Sequence, residues 1–541
     1  MFSCPSCGGK IIFDIDRQKP VCEYCSTAFN VEDLGPGIAQ NVTTYETSVY
    51  VCKNCGTEVT SPDNQVVSFC SFCGSESILE ERTASIHSPE TILPFRVSKK
   101  EMHQKYADAL KGVRYLPKDF KDPKRIDSMR GIYMPYWAIA ADFQPRLDFK
   151  VTSVTSLPSN YERVNDYTGS FSCRTKTRFL TDASSALDDT VAAQIEPFSE
   201  EDAVPFHPAY LAGFYADKAD VPPEKYMAQV NEKARKDAVR AIKAACPDKE
   251  ADIRILPTVR DEKSPLIIMP EDREDYEASL VPASLRDYHE ALMPVWFLTH
   301  RSKKRVSYTI ANGANGKFYT DLPVDQPKFW LVTAGIAAVL FALLSLIFFL
   351  RPQTALVLSI FVVALTMQAF RSELVEFVIH ETHLLDLGAT QTSPDALQKT
   401  RKKIRERKSN KTAAVVMTWV FIGFFGFLFL IPDAWGFSAF AFCTYSVIVG
   451  AFQLHAIIKD TRKLHSTLLM IVGIAAYVTI IAGIVLLIVK PVSDLWFYGG
   501  CLFCLLGALA LSAMMIHCYN LKASRPLPQY FRREGGFNDA Q

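Results

Sequence analysis

The chain has 541 residues, 59 Lys and Arg against 58 Asp and Glu, and a formal net charge of +1. That length allows several domains, and the near-zero charge excludes a molecule that is basic throughout and binds nucleic acid by bulk electrostatics. The average hides a division: residues 1–325 are mixed and polar, and residues 326–520 are dominated by long apolar runs.

Residues 2–25 have no basic n-region followed by a continuous apolar core, so no secretory signal is expected. Two cysteine modules come first. "CPSCGGKIIFDIDRQKPVCEYC" supplies Cys4, Cys7, Cys22 and Cys25; "CKNCGTEVTSPDNQVVSFCSFC" supplies Cys52, Cys55, Cys70 and Cys73. In both, fourteen residues separate two Cys-x-x-Cys pairs. One tight turn offers two sulfurs, and two turns complete a tetrahedral four-thiolate set for a structural ion. Gly8, Gly56 and Gly74 follow three of the four pairs, where a left-handed backbone is needed. The stretches "KIIFDI" and "NQVVSF" read as short strands. The expectation is two zinc ribbons, at 1–48 and 49–85, each pinned by one Zn²⁺. Iron fits the same S₄ set. Redox chemistry at a Cys-x-x-Cys pair lacks its βαβ context. Thiolate ligands need a reducing compartment, which places this end in the cytosol. Residues 1–85 hold five Lys and Arg and eleven Asp and Glu, and each filled site adds about −2. Phosphate binding needs the opposite sign, so the ribbons read as protein-docking modules and not as nucleic-acid binders.

Residues 86–325 read as a cytosolic α+β domain. Helical periodicity covers 99–112 and 224–246. Strands are expected at 131–143, 149–156, 170–180 and 305–323, the last with an Asn315-Gly316 turn. "YMPYWAIAADFQPRLDFKV" (133–151) resembles "LMPVWFLTHRSKKRVSYTI" (292–310). Each proline is expected at a strand's first position, with Trp137 and Trp296 packed into one core. No phosphate loop, His-Glu-x-x-His or Gly-x-Ser-x-Gly is present, and no enzyme is expected.

Six membrane spans are expected: Trp330–Leu350, Ala355–Phe370, Thr412–Ile431, Ala434–Leu454, Leu468–Val489 and Leu495–Cys518. The linkers "RPQT", "PD" and "KPVSD" are tight reversals, so the all-α region 326–520 reads as three helical hairpins, followed by a tail at 521–541. Basic residues concentrate in the loop Lys399–Lys411, in Lys459, Arg462 and Lys463, and in Lys522, Arg525, Arg532 and Arg533. By the positive-inside rule both termini of a multi-pass membrane protein are expected on the cytosolic side. The basic loop suits anionic lipid head groups. "HETH" (380–383) offers His380 and His383 to a metal, the feature a transporter or channel would use.

The two ribbons, "TILPFRVSKKEM", "GIYMPYW", "IEPF…FHPAYLAGFYAD", "LMPVWF" and "NGKFYTDLP", in that order, resemble a bacterial group of membrane proteins with TFIIB-type (double) zinc ribbons, often labelled helicase-like or primosomal. The resemblance covers roughly residues 1–325. It implies two structural zinc ions and a role similar to that of the partner that helps bring phage-shock protein A to the membrane. The helicase label carries no weight without an ATPase motif. The expectation is a membrane scaffold that docks a membrane-stress protein, with homo-oligomers left open.

Overall fold

The computed structural model describes residues 3–34, 44–61, 69–76, 80–143, 147–157, 161–171, 174–245, 252–256, 273–279, 281, 283–302, 304–347, 351–382, 385–388, 400, 404, 415–426 and 434–527. In chain order these give β1 (Ile11–Asp14), β2 (Lys19–Cys22), β3 (Thr44–Val51), β4 (Glu58–Ser61), β5 (Glu80–His87), β6 (Thr91–Ile92), α1 (Lys99–Lys111), α2 (Pro123–Asp127), β7 (Arg130–Phe143), β8 (Leu147–Leu157), β9 (Tyr161–Phe171) and β10 (Arg174–Asp182). Then follow α3 (Asp189–Ile195), β11 (Val204–Pro205), β12 (Tyr215–Ala216), α4 (Glu224–Ala245), β13 (Asp252–Leu256), α5 (Arg273–Ser279), β14 (Ala283–Ser302), β15 (Arg305–Asn312) and β16 (Phe318–Thr320). The apolar half comprises α6 (Gln326–Ile347), α7 (Pro352–Glu381), α8 (Val415–Gly426), α9 (Trp435–Lys463), α10 (Thr467–Val489) and α11 (Leu495–Lys522), before β17 (Arg525–Pro526).

The near-repeat forms the centre of a twelve-stranded sheet. β7 and β14 run antiparallel with Met134 opposite Met293, Pro135 opposite Leu292 and Tyr133 opposite Pro294. The prolines therefore lie inside long strands and not at the strand entry expected from sequence. Each sits where its strand changes its outer neighbour. β12 pairs up to Tyr133 and β10 begins at Tyr136; β6 pairs up to Leu292 and β15 begins at Val295. A missing N–H is tolerated at such a gap.

Strand alternation sends successive residues to opposite faces. Ile132, Met134, Tyr136 and Ala138 of β7 join Met293, Val295 and Phe297 of β14 in one cluster. On the other face Tyr133, Leu292, Trp296 and Leu298 enter a second cluster with α1, while Ile139 and Ala141 enter a third with α4. The two tryptophans thus anchor separate clusters. Trp296 Nε1 donates to the Val97 carbonyl at 2.9 Å, and Trp137 Nε1 to the Val221 carbonyl at 2.8 Å. Hairpin β15–β16 turns at Gly316, whose φ is 73°.

β3, β4 and β5 of the second cysteine module are hydrogen-bonded into this same sheet, through β12 to β7. β8, β9 and β13 form a separate three-stranded sheet, and β1 and β2 form the first module's hairpin.

Five helices, α6, α7, α9, α10 and α11, are long and apolar enough to cross a membrane; α8 is shorter in the described residues. α7 packs against α9, α10 and α11, and its buried Ile360, Ala364, Met367 and Phe370 fill the bundle centre. α7 runs eleven residues beyond Phe370, where the expected span ended. Its charged end is held by neighbours: Lys522 lies 2.6 Å from Glu373 and 2.9 Å from Glu376. α6 has no buried residue in its span, and its apolar side chains would face lipid. The α6–α7 hairpin expected from "RPQT" is therefore not a packed pair among the described residues. The basic stretch at 399–411 lies outside them apart from residues 400 and 404.

The two halves are stitched together. β17 pairs with β15. The buried Arg525 guanidinium lies 3.2 Å from Asp188 and 3.9 Å from Asp321. Arg305 reaches Glu381 of α7 at 2.6 Å, the Leu521 carbonyl of α11 and the Ser524 carbonyl just after it. After α7 the chain places Leu387 in the α4 cluster, and the Leu387 N–H donates to Asp189 at 2.7 Å. Acids accumulate at this seam. Burial pushes Asp189 and Asp217 each up to about 7, with Asp386 adding to the rise at Asp189 and Asp220 to that at Asp217. Burial also drives Asp182 well above the usual carboxylate range.

Two outcomes follow. A Cβ on Gly131 would lie 2.5 Å from the Phe214 ring, itself stacked on Phe95; Gly131→Ala is expected to cost about 1–3 kcal/mol through overpacking, read as a lower apparent melting temperature and altered near-UV circular dichroism. A carboxyl whose folded pKa is raised favours folding when protonated and opposes it as pH rises from about 4, its unfolded value, to about 7. Asp217→Asn keeps an oxygen for the Ser184 hydroxyl, so its stability relative to wild type should increase over that interval and level off above it. The paired comparison cancels the opposite trend from His300, which burial pulls down to about 4. A difference that does not change with pH would show that Asp217 is not a protonated acid in the fold.

Candidate metal centres

Four copies of one backbone turn build the two centres. In each, the N–H of the first cysteine donates to the carbonyl five residues on, and the residue four positions on donates back to the cysteine carbonyl. The returning donors are Gly8, Ser26, Gly56 and Gly74, at 2.8, 2.9, 2.7 and 2.9 Å. All four have positive φ: 74°, 58°, 78° and 64°. Glycine meets that requirement without strain; Ser26 is the exception.

The turns bring the eight cysteines into two groups of four, Cys4, Cys7, Cys22, Cys25 and Cys52, Cys55, Cys70, Cys73. Within each group the sulfurs lie within 4.8 Å of one another. A Zn–S bond of about 2.3 Å places tetrahedral sulfurs about 3.8 Å apart. Cys4 and Cys25 stand 3.6 Å apart and Cys7 and Cys22 3.5 Å; Cys52–Cys73 and Cys55–Cys70 are both 3.8 Å. A disulfide requires about 2.05 Å. Spacing and donor set therefore fit one thiophilic ion in each group, with no position left open for catalysis. Both centres can hold a metal.

Neighbouring polar side chains steady the sulfurs. The Asn54 amide donates to Cys73 at 3.3 Å, Ser75 Oγ lies 3.2 Å from Cys73, and Thr27 Oγ1 lies 3.2 Å from Cys25. The Thr27 hydroxyl holds the Cys25 thiol down to about 6. The spacing of the cysteines gave no sign of these three residues; their identity as hydroxyl and amide side chains within two positions of a cysteine is the only clue.

The surroundings of the two centres differ. In the first, Cys4 and Cys22 are buried and Cys7 and Cys25 are exposed; in the second all four are buried. The first module rests on the domain through β1 and the turn after it, with Phe13 packed into the α1 cluster. Cys4, Ile11, Cys22 and Leu34 pack with Ala209, the Phe13 N–H donates to the Ala212 carbonyl at 2.9 Å, and Gln18 reaches the Phe95 carbonyl at 2.7 Å. The second module is part of the main core. Cys52, Cys55, Cys70 and Cys73 share one cluster with Met134, Tyr136, Met293 and Phe297. The Tyr308 hydroxyl donates to the Phe72 carbonyl at 2.7 Å, Thr299 bonds Ser71, and the Arg130 guanidinium sits 3.9 Å over the Phe69 ring. The strand expected at "NQVVSF" lies outside the described residues except Phe69.

His380 does not form a third centre with described residues. Its Nδ1 lies 3.6 Å from Glu381, which Arg305 already engages, and His383 lies outside the described residues.

No known protein-family pattern matches the chain, and no solved structure does. The chain is similar to the "Uncharacterized protein YdjG" of Bacillus subtilis (strain 168), at 26% identity over 361 residues, covering 64% of this chain and 96% of that protein.

The inequality of the centres has a direct consequence. Cys55→Ser removes a ligand from inside the main core and should lower the apparent melting temperature of the whole sheet and expose β7 and β14 to protease. Cys25→Ser should release one metal ion per chain while the sheet keeps its protection. Limited proteolysis with elemental analysis separates the two; equal protection in both variants would show that the second centre does not support the core.

Proposed function

We propose that this chain is an integral membrane scaffold of the bacterial inner membrane, with both centres filled by Zn²⁺, that docks a peripheral membrane-stress protein on its cytosolic face. The observation that carries this reading is the stitching at Arg305, Leu387 and Arg525, which fixes the α+β domain to the ends of α7 and α11. A domain so fastened presents its surface at a constant height and angle over the bilayer, as a dock requires.

Orientation is supported by charge. The helix ends beside the domain carry Lys459, Arg462, Lys463 and Lys522, whereas the far turns carry Arg351 and Lys490. The positive-inside rule puts the domain in the cytosol, where thiolates stay reduced. Lipid contact is supported by a cleft of about 800 Å³ between α7, α9 and α10 at the far end, lined by Val357, Phe440, Val447 and Ile484. Its apolar walls suit an acyl chain. The transporter alternative is less well supported, because one large apolar cluster runs through the α7–α9–α10–α11 bundle, and Asp460, its one buried acid among the described residues, lies at the end beside the domain. The resemblance of residues 1–325 to the double-ribbon proteins that help bring phage-shock protein A to the membrane names the class of partner.

The test is cross-linking and affinity capture from native membranes, wild type against Cys52→Ser, read by mass spectrometry. The expected result is one peripheral membrane-stress protein captured by wild type and lost from the variant, with both chains still in the membrane fraction. A partner set that is the same for both chains, or that holds no peripheral protein, would remove the scaffold reading and direct attention to flux measurements in proteoliposomes.

A further inference from the structure

We propose that the first cysteine centre is an oxidant-sensing site. Hydroperoxides convert its thiolates to disulfides, expel the bound ion and release the β1–β2 module from the α+β domain, while the second centre survives. The inference holds whichever protein docks on the scaffold.

The two centres form an internal comparison. They share ligand type, spacing and backbone turn, so intrinsic sulfur chemistry does not separate them; surroundings do. Cys52, Cys55 and Cys73 have no exposed surface and Cys70 has 1%. Phe72 and Tyr308 close over them from the core. Cys7 and Cys25 are exposed, and Tyr24 between the second pair is turned 86% to solvent and covers neither. Gly8, beside Cys7, has nothing within 4 Å of where a Cβ would stand, so no neighbouring segment covers that side of the turn. A peroxide must reach sulfur along a lone pair, so oxidation follows thiolate character and access together.

The steps balance with hydroperoxide as the named oxidant. The Cys25 sulfur attacks one peroxide oxygen, an S–O bond forms, the O–O bond breaks, and the departing oxygen leaves as water after taking up protons. The Cys7 sulfur then attacks the sulfenate sulfur, forming S–S and breaking S–O, and a second water leaves. Two thiolates lose two electrons and one H₂O₂ gains them. A second peroxide joins Cys4 and Cys22 in the same way. Four thiolates, two H₂O₂ and four protons thus give two disulfides and four waters, and the divalent ion departs hydrated. All four sulfurs lie within 4.8 Å, so partners are at hand once the ion is gone.

Loss of the ion has a defined structural effect. The module's own core is Cys4, Ile11, Cys22 and Leu34 against Ala209, too small to hold a fold without metal. Among the described residues it is attached through the Phe13 and Gln18 hydrogen bonds, the Phe13 ring 5.3 Å from Tyr210, and the packing of Phe13 and Ile15 into the α1 cluster. Their loss uncovers the Tyr210–Ala212 edge and the Phe95 carbonyl. The second centre does not depend on them, because it lies in the cluster on the opposite face of β7 and β14. Dithiol reductant with added Zn²⁺ reverses the change.

The experiment uses the full chain in detergent, loaded with two Zn²⁺ and treated with H₂O₂. A colorimetric chelator follows release, elemental analysis gives what remains, and mass spectrometry assigns oxidised cysteines. One ion per chain should leave at least about tenfold faster than the other, with disulfides confined to Cys4, Cys7, Cys22 and Cys25. A variant carrying Cys7→Ser and Cys25→Ser, folded because its sheet is untouched, should hold one ion and lose none on the same timescale. Release of both ions at one rate, first oxidation at Cys52–Cys73, or fast release from the double variant would each overturn the proposal.

Discussion

The antiparallel pairing of β7 with β14 is the constraint on which the rest of the molecule depends. It joins segments about 160 residues apart in sequence, and each strand carries a Met-Pro step at its middle. Because both faces are covered, a one-residue slip would turn Met134 and Met293 toward α1 and Tyr133 and Trp296 away from it; burial on two sides fixes the register. From this pair the sheet extends in two directions. Through β12 it reaches β4 and the second cysteine centre. Through β15 it reaches β17 and the end of α11. A metal centre and a helical bundle thus become parts of one continuous hydrogen-bonded body.

Charge sets the angle between that body and the bundle. Arg305 and Arg525 are mostly removed from water, and each reaches across the seam: Arg305 from the α+β domain to Glu381 and the end of α11, Arg525 from beyond α11 to Asp188 and Asp321. Buried ion pairs contribute little net stability, because desolvation offsets the attraction, yet removing one partner is costly. Such pairs select one geometry over nearby alternatives in which a charge is left unpaired. The raised carboxyls of Asp182, Asp189 and Asp217 show the cost of collecting acids there without a matching number of bases. The bundle itself is assembled differently, by apolar packing around α7.

Local signals made much of this legible. Cysteine spacing identified all eight sulfurs of the two groups, helical periodicity found α1 and α4 within one or two residues, and Asn315-Gly316 marked the β15–β16 turn. Long apolar runs located α9, α10 and α11. One failure was local, since the strand expected at 170–180 straddles the end of β9 at Phe171 and the start of β10 at Arg174; the others were non-local. The end of α7, "RSELVEFVIHE", reads as a polar exit from the membrane, but Lys522 and Arg305 come from distant segments to pair its acids, and the helix continues. Pro135 and Pro294 argued for strand ends, because a single sequence cannot show that two pairs of short strands meet at those positions. Leu387 and Arg525 carry no pattern at all; one is a lone leucine in a short polar stretch and the other a basic residue in a tail. The merging of the second ribbon with the main sheet was hidden for the same reason, since the pairing of β4 with β12 rests on a single bridge at Thr60 and Ala216.

Two centres with the same ligands need not have the same role, and the backbone separates them as clearly as burial does. Three of the four turns place glycine at the left-handed position, where it is unstrained. Ser26, beside Cys25, adopts φ 58° with a side chain, a conformation that costs a non-glycine residue about 1–2 kcal/mol. The second centre has glycine in both turns and is enclosed by the core formed by β7 and β14. The first has the strained turn and two exposed cysteines, and its ligands share a cluster with Ala209 alone of the domain's buried residues. Strain and exposure act in the same direction at one module, so its centre is expected to open more readily than the enclosed second centre. A centre that can open alone can respond to its surroundings, whereas one whose opening would dissolve the core can only hold the fold.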